Sequence, residues 1–447
     1  MNPAVTKQEF QYEVCIVGTG RVGLPLGLSM TEVGLRATGI DVDTSLIEAV
    51  NSGRMPFAEP HYDDLVASKK FVVHDDPVIV SKAETLIVTV GTPLHNHIET
   101  DLGQVQRVLT SIKDHLRPNQ LIVLRSTVAP GTTTFVKKWL EGHTKFTLGK
   151  DLFLAFCPER IAEGKAYEEL RTLPQIVGAE DEGSSRRATE LFGKLTDEVL
   201  QTNYITAELV KLFNNISRYV QFAVANQFAL VADTFGANIF EARRLANHNY
   251  PRCDLASPGF TAGTCLRKDF GMINEWNPYP DMLLSAWKMN EYTPAMLVDY
   301  LRKRTELHGK RVAVLGMSFK ANTDDIRDSL VPKLYRYVER QVPAEIRISD
   351  HNLPESIDEP SILEPLKNWS IEEALEDVDC VFVAMNHDGY HEALKKLSEA
   401  RPEAWIADIW NVGGIDKIFY QAKELLDDSV IPAAPRRATE GAAPAVS

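Results

Sequence analysis

The stretch Val14-Cys-Ile-Val-Gly-Thr-Gly-Arg-Val-Gly23 passes from a short apolar run directly into three spaced glycines. The first glycine permits a tight turn, the second lets a pyrophosphate approach the backbone, and the third lets a following helix pack closely on the strand. The N-terminus of that helix favours negative charge. We therefore expect a dinucleotide-binding loop made of the following residues: Gly18, Gly20, Arg21, Val22 and Gly23.

The end of the next apolar run supports a dinucleotide site. Gly39-Ile-Asp41 places an acid where a ribose hydroxyl would be bound, and no arginine stands beside it. A carboxylate would repel the 2′-phosphate of NADP, so the expected cofactor is NAD, with Asp43 competing for the role of Asp41. Thr92, in Gly91-Thr-Pro93, follows a further strand and is expected near the cofactor, because ligands of open parallel sheets gather at strand carboxyl ends. A plain turn is an equally good explanation of that segment.

Short β-branched runs alternate with helical patterns through the first half of the chain, which is typical of βαβ units and a parallel sheet. A second α/β region opens with Val312-Ala-Val-Leu-Gly-Met-Ser-Phe-Lys320, again a strand followed by glycine. Between them, residues 206–235 are apolar nearly all round and predict one long helix buried between domains or subunits. Buried strands are predicted at 14–17, 35–40, 85–90, 121–124, 152–156, 175–177, 346–348, 380–384 and 404–407. The expected fold class is α/β, with an N-terminal Rossmann domain and a C-terminal Rossmann-like domain joined by a long central helix.

The composition and charge of the chain exclude several classes of function. With 44% hydrophobic and 25% charged residues in 447 positions, the chain can build roughly two or three ordinary cores. A net charge of −14 argues against a nucleic-acid partner. No run approaches about eighteen apolar residues, so no membrane span is expected. The five cysteines are scattered without metal or disulfide spacing and the N-terminus does not resemble a signal peptide. We expect a cytoplasmic enzyme with no metal site, in which one cysteine is free to be a reactive thiol.

Four segments further along the chain combine residues suited to catalysis. They are Arg125-Ser-Thr127-Val-Ala-Pro-Gly131, Cys157-Pro-Glu159-Arg-Ile-Ala-Glu163, the pair Lys211 and Asn215 on the long helix, and Pro258-Gly-Phe-Thr-Ala-Gly-Thr-Cys265-Leu-Arg-Lys268-Asp269. Each alone has an ordinary explanation, such as a solvated lysine or a buried cysteine. Lys211 nevertheless stands among apolar neighbours, where a charge needs a partner. Cys265 ends a glycine-rich loop and precedes two cationic residues, which favour the nucleophilic thiolate.

Taken together and in this order, the motifs resemble those of the UDP-glucose/GDP-mannose dehydrogenase family of nucleotide-sugar 6-dehydrogenases. The resemblance runs from about Tyr12 to Gly414 and rests on GTGRVGLPL, RSTVAPGTT, PERIAEGKA, AELVKLFNN, GTCLRKD and GMSFKANTDDIRDS. The expected domains are an NAD-binding Rossmann domain (1–203), a central helical dimerisation region carrying Lys211 and Cys265 (204–304), a nucleotide-sugar-binding domain (305–431) and a disordered tail (432–447).

The resemblance implies oxidation of a C6 alcohol to an acid through a covalent intermediate on Cys265. Two NAD molecules accept hydride in turn, first from the alcohol and then from a thiohemiacetal, and the resulting thioester is hydrolysed. Lys211 and Asn215 would contact the substrate and stabilise oxyanions at C6, and Asp269 would assist as a base or through water. Glu163 or Glu159 would act on the hydrolytic water.

The same resemblance assigns further contacts. Thr127 would position water or hydroxyl near the cofactor, and Phe260, in the nucleophile loop, is expected against the substrate. Phe319 and Lys320 resemble the family's nucleotide-sugar contact. Arg252 falls where the family often has an arginine that crosses to the other subunit's substrate, and Arg327 resembles an arginine that reaches a neighbouring subunit's cofactor. Surface ion pairs are the alternative explanation for Lys320, Arg252 and Arg327. A homodimer or larger homo-oligomer acting on a nucleotide sugar is expected.

The sequence departs from the family pattern in two places. Arg21 stands where the family commonly has tyrosine, and Thr261 and Ala262 stand where paired glycines are usual before the cysteine. Cys157-Pro-Glu-Arg160 resembles members that act on N-acetylhexosamines, so UDP-N-acetylglucosamine or UDP-N-acetylmannosamine is the expected substrate, with UDP-glucose as the alternative.

Two more distant functions remain open from the sequence. A two-electron dehydrogenase of the β-hydroxyacid class also pairs a helical lysine and asparagine, but needs neither a cysteine nucleophile nor a second Rossmann-like domain. Two NADH formed per substrate would exclude it. A non-catalytic NAD-sensing protein would not need the whole catalytic set in one chain, and turnover of any nucleotide sugar would exclude it.

Overall fold

The computed structural model describes residues 10–92, 94–95, 99–261, 263, 266–274 and 277–426. The chain divides into two compact units, the first made of residues up to 217 together with 267–280, and the second of 218–266 together with residues from 281 onward. Cys265 and the predicted disordered tail (432–447) lie outside the described residues. Within the described part of the chain, no helix is long and apolar enough to cross a membrane.

The first unit contains strands at the apolar runs predicted at 14–17, 35–40, 85–90, 121–124, 152–156 and 175–177, together with shorter strands that were not predicted. They are β1 (Tyr12–Val17), β2 (Ala37–Ile40), β3 (Val73–His74), β4 (Ala83–Val88), β5 (Leu94–His95), β6 (Glu99–Thr100), β7 (Gln120–Leu124), β8 (Leu152–Phe156), β9 (Gln175–Gly178) and β10 (Val199–Thr202). One sheet has the order β10-β9-β8-β7-β4-β1-β2-β3, and β5 and β6 form a separate antiparallel pair. Neighbours in the larger sheet are parallel except β8 and β9.

Both faces of the larger sheet are covered, which explains why its strands are apolar without alternation. Val14 and Ile16 of β1 belong to one buried apolar cluster, and Cys15 and Val17 belong to another. The helices of this unit are α1 (Gly23–Glu32), α2 (Thr44–Ser52), α3 (Asp63–Ala67), α4 (Gly103–Ile112), α5 (Thr132–His143), α6 (Ala166–Thr172) and α7 (Glu182–Phe192), with 3-10 turns at Pro77–Lys82 and Lys113–His115. The predicted Rossmann-type α/β unit is confirmed.

The long helix α8 (Tyr204–Thr234) agrees with the prediction for residues 206–235. Its burial within one chain is incomplete, because Phe213, Phe228 and Val231 are 57%, 46% and 49% exposed. The helices that follow are α9 (Ile239–Asn247), α10 (Leu266–Asn274) and α11 (Asp281–Arg302).

The second unit contains the predicted C-terminal α/β region. Its elements are β11 (Arg311–Leu315), α12 (Val331–Glu339), β12 (Glu345–Ser349), β13 (Ser356–Ile357), β14 (Leu366–Lys367), α13 (Ile371–Leu375), β15 (Cys380–Val383), α14 (Tyr390–Ala400), β16 (Trp405–Asp408), β17 (Phe419–Gln421) and a 3-10 turn at Ala422–Leu426. The sheet order is β12-β11-β15-β16-β17, parallel except for β16 and β17. The strands predicted at 346–348, 380–384 and 404–407 are confirmed.

The order of the first sheet determines where its polar residues meet. Because β8, β7, β4 and β1 are neighbours and parallel, their carboxyl ends lie along one edge of the sheet. The glycine loop follows β1, Thr92 lies just beyond β4, Thr127 beyond β7, and Glu159 and Glu163 beyond β8. This edge is where ligands of open α/β sheets bind.

Candidate active site

The loop between β1 and α1 has the geometry of a dinucleotide cradle. Gly18 has φ of 95°, in the left-handed region that favours glycine. A Cβ built on Gly23 would lie 2.0 Å from the carbonyl oxygen of Gly18, so the turn closes only with glycine at that position. A Cβ built on Gly20 would meet nothing within 4 Å, which leaves open space where a pyrophosphate can approach the backbone. These residues fit NAD.

The two acids that follow β2 have different partners. Asp41 is fixed at the strand end, where Oδ2 accepts from the Thr19 amide at 2.6 Å and Oδ1 from the Val42 amide at 2.7 Å. Asp43 caps α2, with Oδ1 accepting from the hydroxyl and amide of Ser45 and the amide of Leu46. The Ser45 hydroxyl and these amides lower the pKa of Asp43 below 3.8. Asp43 is therefore used to cap α2, which leaves Asp41 as the better partner for a ribose hydroxyl.

A chain of hydrogen bonds connects the ends of β4 and β7 with α10. The buried Thr92 hydroxyl donates to the carbonyl oxygen of Thr127, and the Lys268 ammonium donates to the Thr92 hydroxyl at 3.1 Å. Ser126 adds a bond of 2.5 Å from its hydroxyl to the carbonyl oxygen of Val90. The backbone at Thr127 is therefore held from two sides.

Lys211, Asn215 and Asp269 are all buried in the first unit, with side chains from α8 and α10. The Asn215 amide donates to Asp269 Oδ2 at 2.6 Å. Burial raises the pKa of Asp269, and the charges of Lys211 and Lys268 and the bond from Asn215 oppose that rise. Asp269 Oδ1 is buried without a hydrogen-bond partner among the described residues. A buried acceptor of this kind is suited to a substrate hydroxyl, a water or a thiol.

Glu159, one of the two predicted hydrolytic acids, is held by Arg125 and by two backbone amides. Oε2 accepts from Arg125 Nε at 2.7 Å and lies 2.6 Å from Arg125 Nη2, while Oε1 accepts from the amides of Arg160 and Ile161. Arg125 is completely buried and its Nη1 also donates to Gln175. The sequence did not identify Arg125 as the partner of Glu159, although an arginine at a predicted strand end was visible.

Glu163, the other predicted acid, pairs with the dinucleotide loop instead. Its Oε1 accepts from Nη1 of Arg21, and both side chains are largely buried. The backbone on either side of Glu163 is also held, because Glu59 accepts from the amides of Gly164 and Ala166 at 2.8 and 3.0 Å. The structure thus brings Glu163 to the loop that is expected to bind NAD.

Three of the described cysteines are poorly suited to act as nucleophiles. Burial raises the pKa of the Cys15, Cys157 and Cys380 thiols to about 12, which leaves them un-ionised at neutral pH. Cys253 is partly exposed and its thiol donates to Asn247 Oδ1 at 3.3 Å. Cys265 lies outside the described residues, and α10 begins with the next residue, Leu266.

The candidate substrate residues of the second unit lie in several places. Phe260 is buried in the apolar core of this unit, and Phe319 packs so closely on Gly263 that a Cβ there would lie 2.6 Å from its ring. Arg327 forms a bidentate ion pair with Asp325. The guanidinium carbon of Arg252 lies 4.8 Å from the centre of the Tyr250 ring. Lys320 follows Phe319 and is partly exposed.

The loop that carries Phe319 and Lys320 is held by two buried residues that sequence reasoning missed. Asp350 Oδ2 accepts from the amides of Met317 and Ser318 at 2.8 and 3.0 Å. His387 Nδ1 accepts from the amide of Asn322 at 2.9 Å, and its Nε2 lies 3.2 Å from Asp350 Oδ2. Asp350 directly follows β12 just as Asp41 follows β2, and that parallel in the sequence could have identified it.

Three family models match the chain in succession. They describe the UDP-glucose/GDP-mannose dehydrogenase family and cover its NAD binding domain (residues 12–196), central domain (205–292) and UDP binding domain (313–414).

Similar proteins are named UDP-N-acetyl-D-mannosamine dehydrogenase. The one from Pyrococcus horikoshii is 29% identical over 84% of this chain and 89% of its own, and the one from Methanocaldococcus jannaschii is 28% identical over 91% and 94%. The solved structure of the Pyrococcus horikoshii UDP-D-ManNAc dehydrogenase aligns with a TM-score of 0.79 at 28% identity, covering 86% of this chain and 92% of that one.

Proposed function

The chain belongs to the UDP-glucose/GDP-mannose dehydrogenase family, and we propose that it oxidises the C6 alcohol of a UDP-N-acetylhexosamine, foremost UDP-N-acetyl-D-mannosamine, to the uronic acid. It is an NAD-dependent nucleotide-sugar dehydrogenase. The proposed reaction converts one alcohol, two NAD⁺ and one water into one carboxylate, two NADH and three protons. The substrate assignment rests on the similarity of this chain, over 84% and 91% of its length, to two relatives named UDP-N-acetyl-D-mannosamine dehydrogenase.

Thr261, in the loop before Cys265, adds support for a polar substituent on the sugar. Its side chain is 2% exposed, and its hydroxyl has no hydrogen-bond partner among the described residues. A buried hydroxyl without a partner costs about 1–3 kcal/mol unless a ligand or water completes it. The acetamido group of an N-acetylhexosamine offers both a donor and an acceptor.

NAD, when bound, supplies the hydride acceptor for both oxidations. The chain's own contribution to that step is the open backbone at Gly20, the helix N-terminus of α1 and the carboxylate of Asp41. A fixed Asp41 favours a free ribose hydroxyl over a 2′-phosphate.

The covalent steps are assigned to Cys265. Its thiolate adds to the aldehyde carbon that the first oxidation forms, and loss of a second hydride from the resulting thiohemiacetal alkoxide leaves the carbon as a thioester. Lys211 is the buried cation that can stabilise negative charge on the C6 oxygen, and Asn215 adds a polar donor on the same helix face. Asp269, whose pKa is raised by burial, suits transient proton transfer from the C6 hydroxyl or through water.

Hydrolysis is assigned to Glu163 rather than Glu159. The Glu159 carboxylate accepts hydrogen bonds from Arg125 Nε and from the amides of Arg160 and Ile161, and it forms an ion pair with Arg125 Nη2, so it is already held by its neighbours. Its role is to hold the backbone after β8. Glu163 would take a proton from water as the water oxygen attacks the thioester carbon, the C–S bond would break, and Cys265 would leave as thiolate.

We also propose that the protein works as a homodimer through α8. Val224, Phe228 and Val231 are spaced to share one face of α8, and each is between 37% and 49% exposed. An apolar face of this length is usually covered by another chain.

The test is a substrate panel with the purified full-length protein. UDP-N-acetylmannosamine, UDP-N-acetylglucosamine, UDP-glucose and GDP-mannose are each incubated with NAD, and NADH and acid are both quantified. We expect the highest kcat/KM with UDP-N-acetylmannosamine and two NADH per acid. A preference for UDP-glucose would overturn the substrate assignment, and one NADH per product would show that the reaction is not a four-electron oxidation.

A further inference from the structure

The N-terminus of α5 is capped by a carboxylate from another helix. The residue before α5 is Gly131, which has φ of 92° and no side chain with which to cap the helix. Glu208 of α8 takes that role, because its Oε2 accepts from the Gly131 amide at 2.7 Å and its Oε1 accepts from the amide and hydroxyl of Thr133 at 2.7 and 2.6 Å. The free amides and the dipole of a helix N-terminus both favour an acid there. The N-terminal part of α8 is thereby joined to the loop that follows β7.

The donors around Glu208 require a carboxylate at this position. Two of its three partners are backbone amides, which can only donate, so both of its oxygens must accept. Glu208 and Thr133 are 1% and 0% exposed, so a lost bond would leave a buried polar group without a partner. Burial raises the pKa of Glu208, and the three bonds oppose that rise. A glutamine would keep the shape of the side chain but would turn its NH2 group toward a hydrogen-bond donor.

A second contact anchors α8 one turn beyond Lys211. Asn215 donates to the buried Asp269 of α10 at 2.6 Å. Glu208 precedes Lys211 by three residues and Asn215 follows it by four, and these spacings place the three side chains on one face of the helix. Lys211 is 7% exposed, and its charge acts on Asp269. Lys211 therefore lies between two fixed points of the same helix.

The two anchors of α8 are connected through the edge of the first sheet. In the loop after β7, the carbonyl oxygen of Thr127 accepts from the Thr92 hydroxyl, and that hydroxyl accepts from Lys268 of α10 at 3.1 Å. The contacts thus form a closed circuit, which runs from Glu208 through this loop, the end of β4 and α10 back to α8. Such a circuit restrains the rotation of α8 about its axis at the turn that carries Lys211.

We propose that Glu208 is a positioning residue for the oxidation, which fixes the turn of α8 carrying Lys211 against the carboxyl edge of the first sheet. The inference rests on the proposed function, in which Lys211 stabilises charge on the C6 oxygen. The Glu208 carboxylate is bonded to the start of α5, so it acts through the backbone of α8. A stabilising donor must lie about 3 Å from the oxygen that becomes charged. A small rotation of α8 would therefore slow the reaction without releasing the substrate.

The experiment measures catalysis and stability in the same set of proteins. Full-length wild type, E208Q, T133V and T133S are assayed with NAD and the best substrate of the panel for kcat, both KM values and the urea midpoint. We expect E208Q to lower kcat about 10-fold to 100-fold, the effect of a small misplacement of a catalytic group, with both KM values within about threefold of wild type. T133V removes only the hydroxyl and should have a kcat between those of wild type and E208Q. T133S keeps the hydroxyl and should match wild type, so this pair carries the test if E208Q does not fold.

A double-mutant cycle shows whether Glu208 acts through Lys211. We expect E208Q and T133V to slow the wild type but to change kcat less than about twofold when Lys211 is already alanine, because interacting residues are not additive. A loss of stability alone would act equally in both backgrounds.

Asp181 provides the matched control, because it caps α7 through the same kinds of donor. Its carboxylate oxygens accept from the amide and the hydroxyl of Ser184 at 2.8 and 2.6 Å. It lies beside Gly149, which precedes the start of β8, so it stands at the opposite edge of the sheet from Thr127. D181N should therefore lower the urea midpoint and leave kcat unchanged.

The outcomes for Glu208 and for the proposed function are distinguishable. Additive effects of E208Q and K211A on kcat, or an unchanged kcat in both E208Q and T133V, would overturn the role of Glu208 while leaving the proposed function standing. A wild type that forms no NADH with any nucleotide sugar of the panel would overturn the proposed function, and the inference with it.

Discussion

Cys265 is the single residue whose loss should have the sharpest effect, because the acyl group needs a sulfur to carry it between the second oxidation and hydrolysis. We expect C265S to form no acid, with the NAD dissociation constant changed less than about twofold. Acid is measured by chromatography and NAD binding by fluorescence titration. C253S is the control, since that thiol bonds Asn247 and should be dispensable for turnover. Acid formation at the normal rate in C265S would exclude the covalent route.

Lys211 is a charge at a position that is 7% exposed, and it interacts electrostatically with the buried Asp269. We expect K211A to lower kcat about 10²-fold to 10³-fold, the size typical for removal of one oxyanion-stabilising donor. The KM for NAD should change little. A thermal unfolding curve separates this loss from simple destabilisation, and a variant with wild-type kcat would show that Lys211 has no part in the reaction.

At the residue scale, the sequence identified the candidate acids but could not divide the roles between Glu159 and Glu163. The division depends on Arg125, which lies 34 positions from Glu159 and reaches it only because β7 pairs with β8. The choice between Asp41 and Asp43 was similar, since it depends on which carboxylate caps α2. Side-chain partners of this kind are tertiary contacts and leave no local pattern.

At the scale of elements, prediction was most successful where burial imposes a pattern. Strands covered on both faces become continuous apolar runs, and the 31-residue α8 is long enough for its pattern to be unambiguous. The loop after β11 could not be predicted in the same way. Its shape depends on Asp350 and His387, which come from the ends of two other strands.

Asp350 gives this loop a pH-dependent stability. Burial works to raise the pKa of Asp350, but the bond from His387 and those from the Met317 and Ser318 amides outweigh it and hold the pKa well below 3.8. A carboxyl with a lowered native pKa stabilises the fold above its ordinary pKa, and this contribution is lost as the pH falls through the native value. We expect D350N to lose about 2 kcal/mol of unfolding free energy at neutral pH, the scale of charged hydrogen bonds.

The measurement for Asp350 is the urea midpoint of wild type and D350N between pH 7 and about pH 2. The difference between the two proteins should be largest at neutral pH and should shrink once the pH falls below 3.8. D358N, at an exposed acid of the same unit, should match wild type throughout. A gap that stayed constant over the whole pH range would show that the Asp350 charge does not stabilise the loop.

At the scale of the whole molecule, the sequence predicted two α/β regions because the strand-and-glycine opening occurs twice. It did not predict that residues 267–280 return to the first unit after 218–266 have joined the second. Asp269 lies in this returning segment and meets Asn215 of α8 there. A discontinuous unit arises from contacts between distant segments, whereas sequence patterns mark only the local elements.

The exposed apolar face of α8 leads to the prediction for the assembled protein. Phe228 and Val231 lie on that face, so two glutamates there should prevent a second chain from packing without disturbing the fold of one chain. We expect F228E/V231E to sediment as a monomer and the wild type as a dimer or larger species. The two proteins should have the same circular dichroism spectrum, because the fold of one chain is unchanged. Leu363 is fully exposed in the second unit but stands outside this face, so L363E should sediment like the wild type. A wild type that remains monomeric at micromolar concentration would contradict the proposed interface, and a variant that still assembles would place the interface elsewhere on the chain.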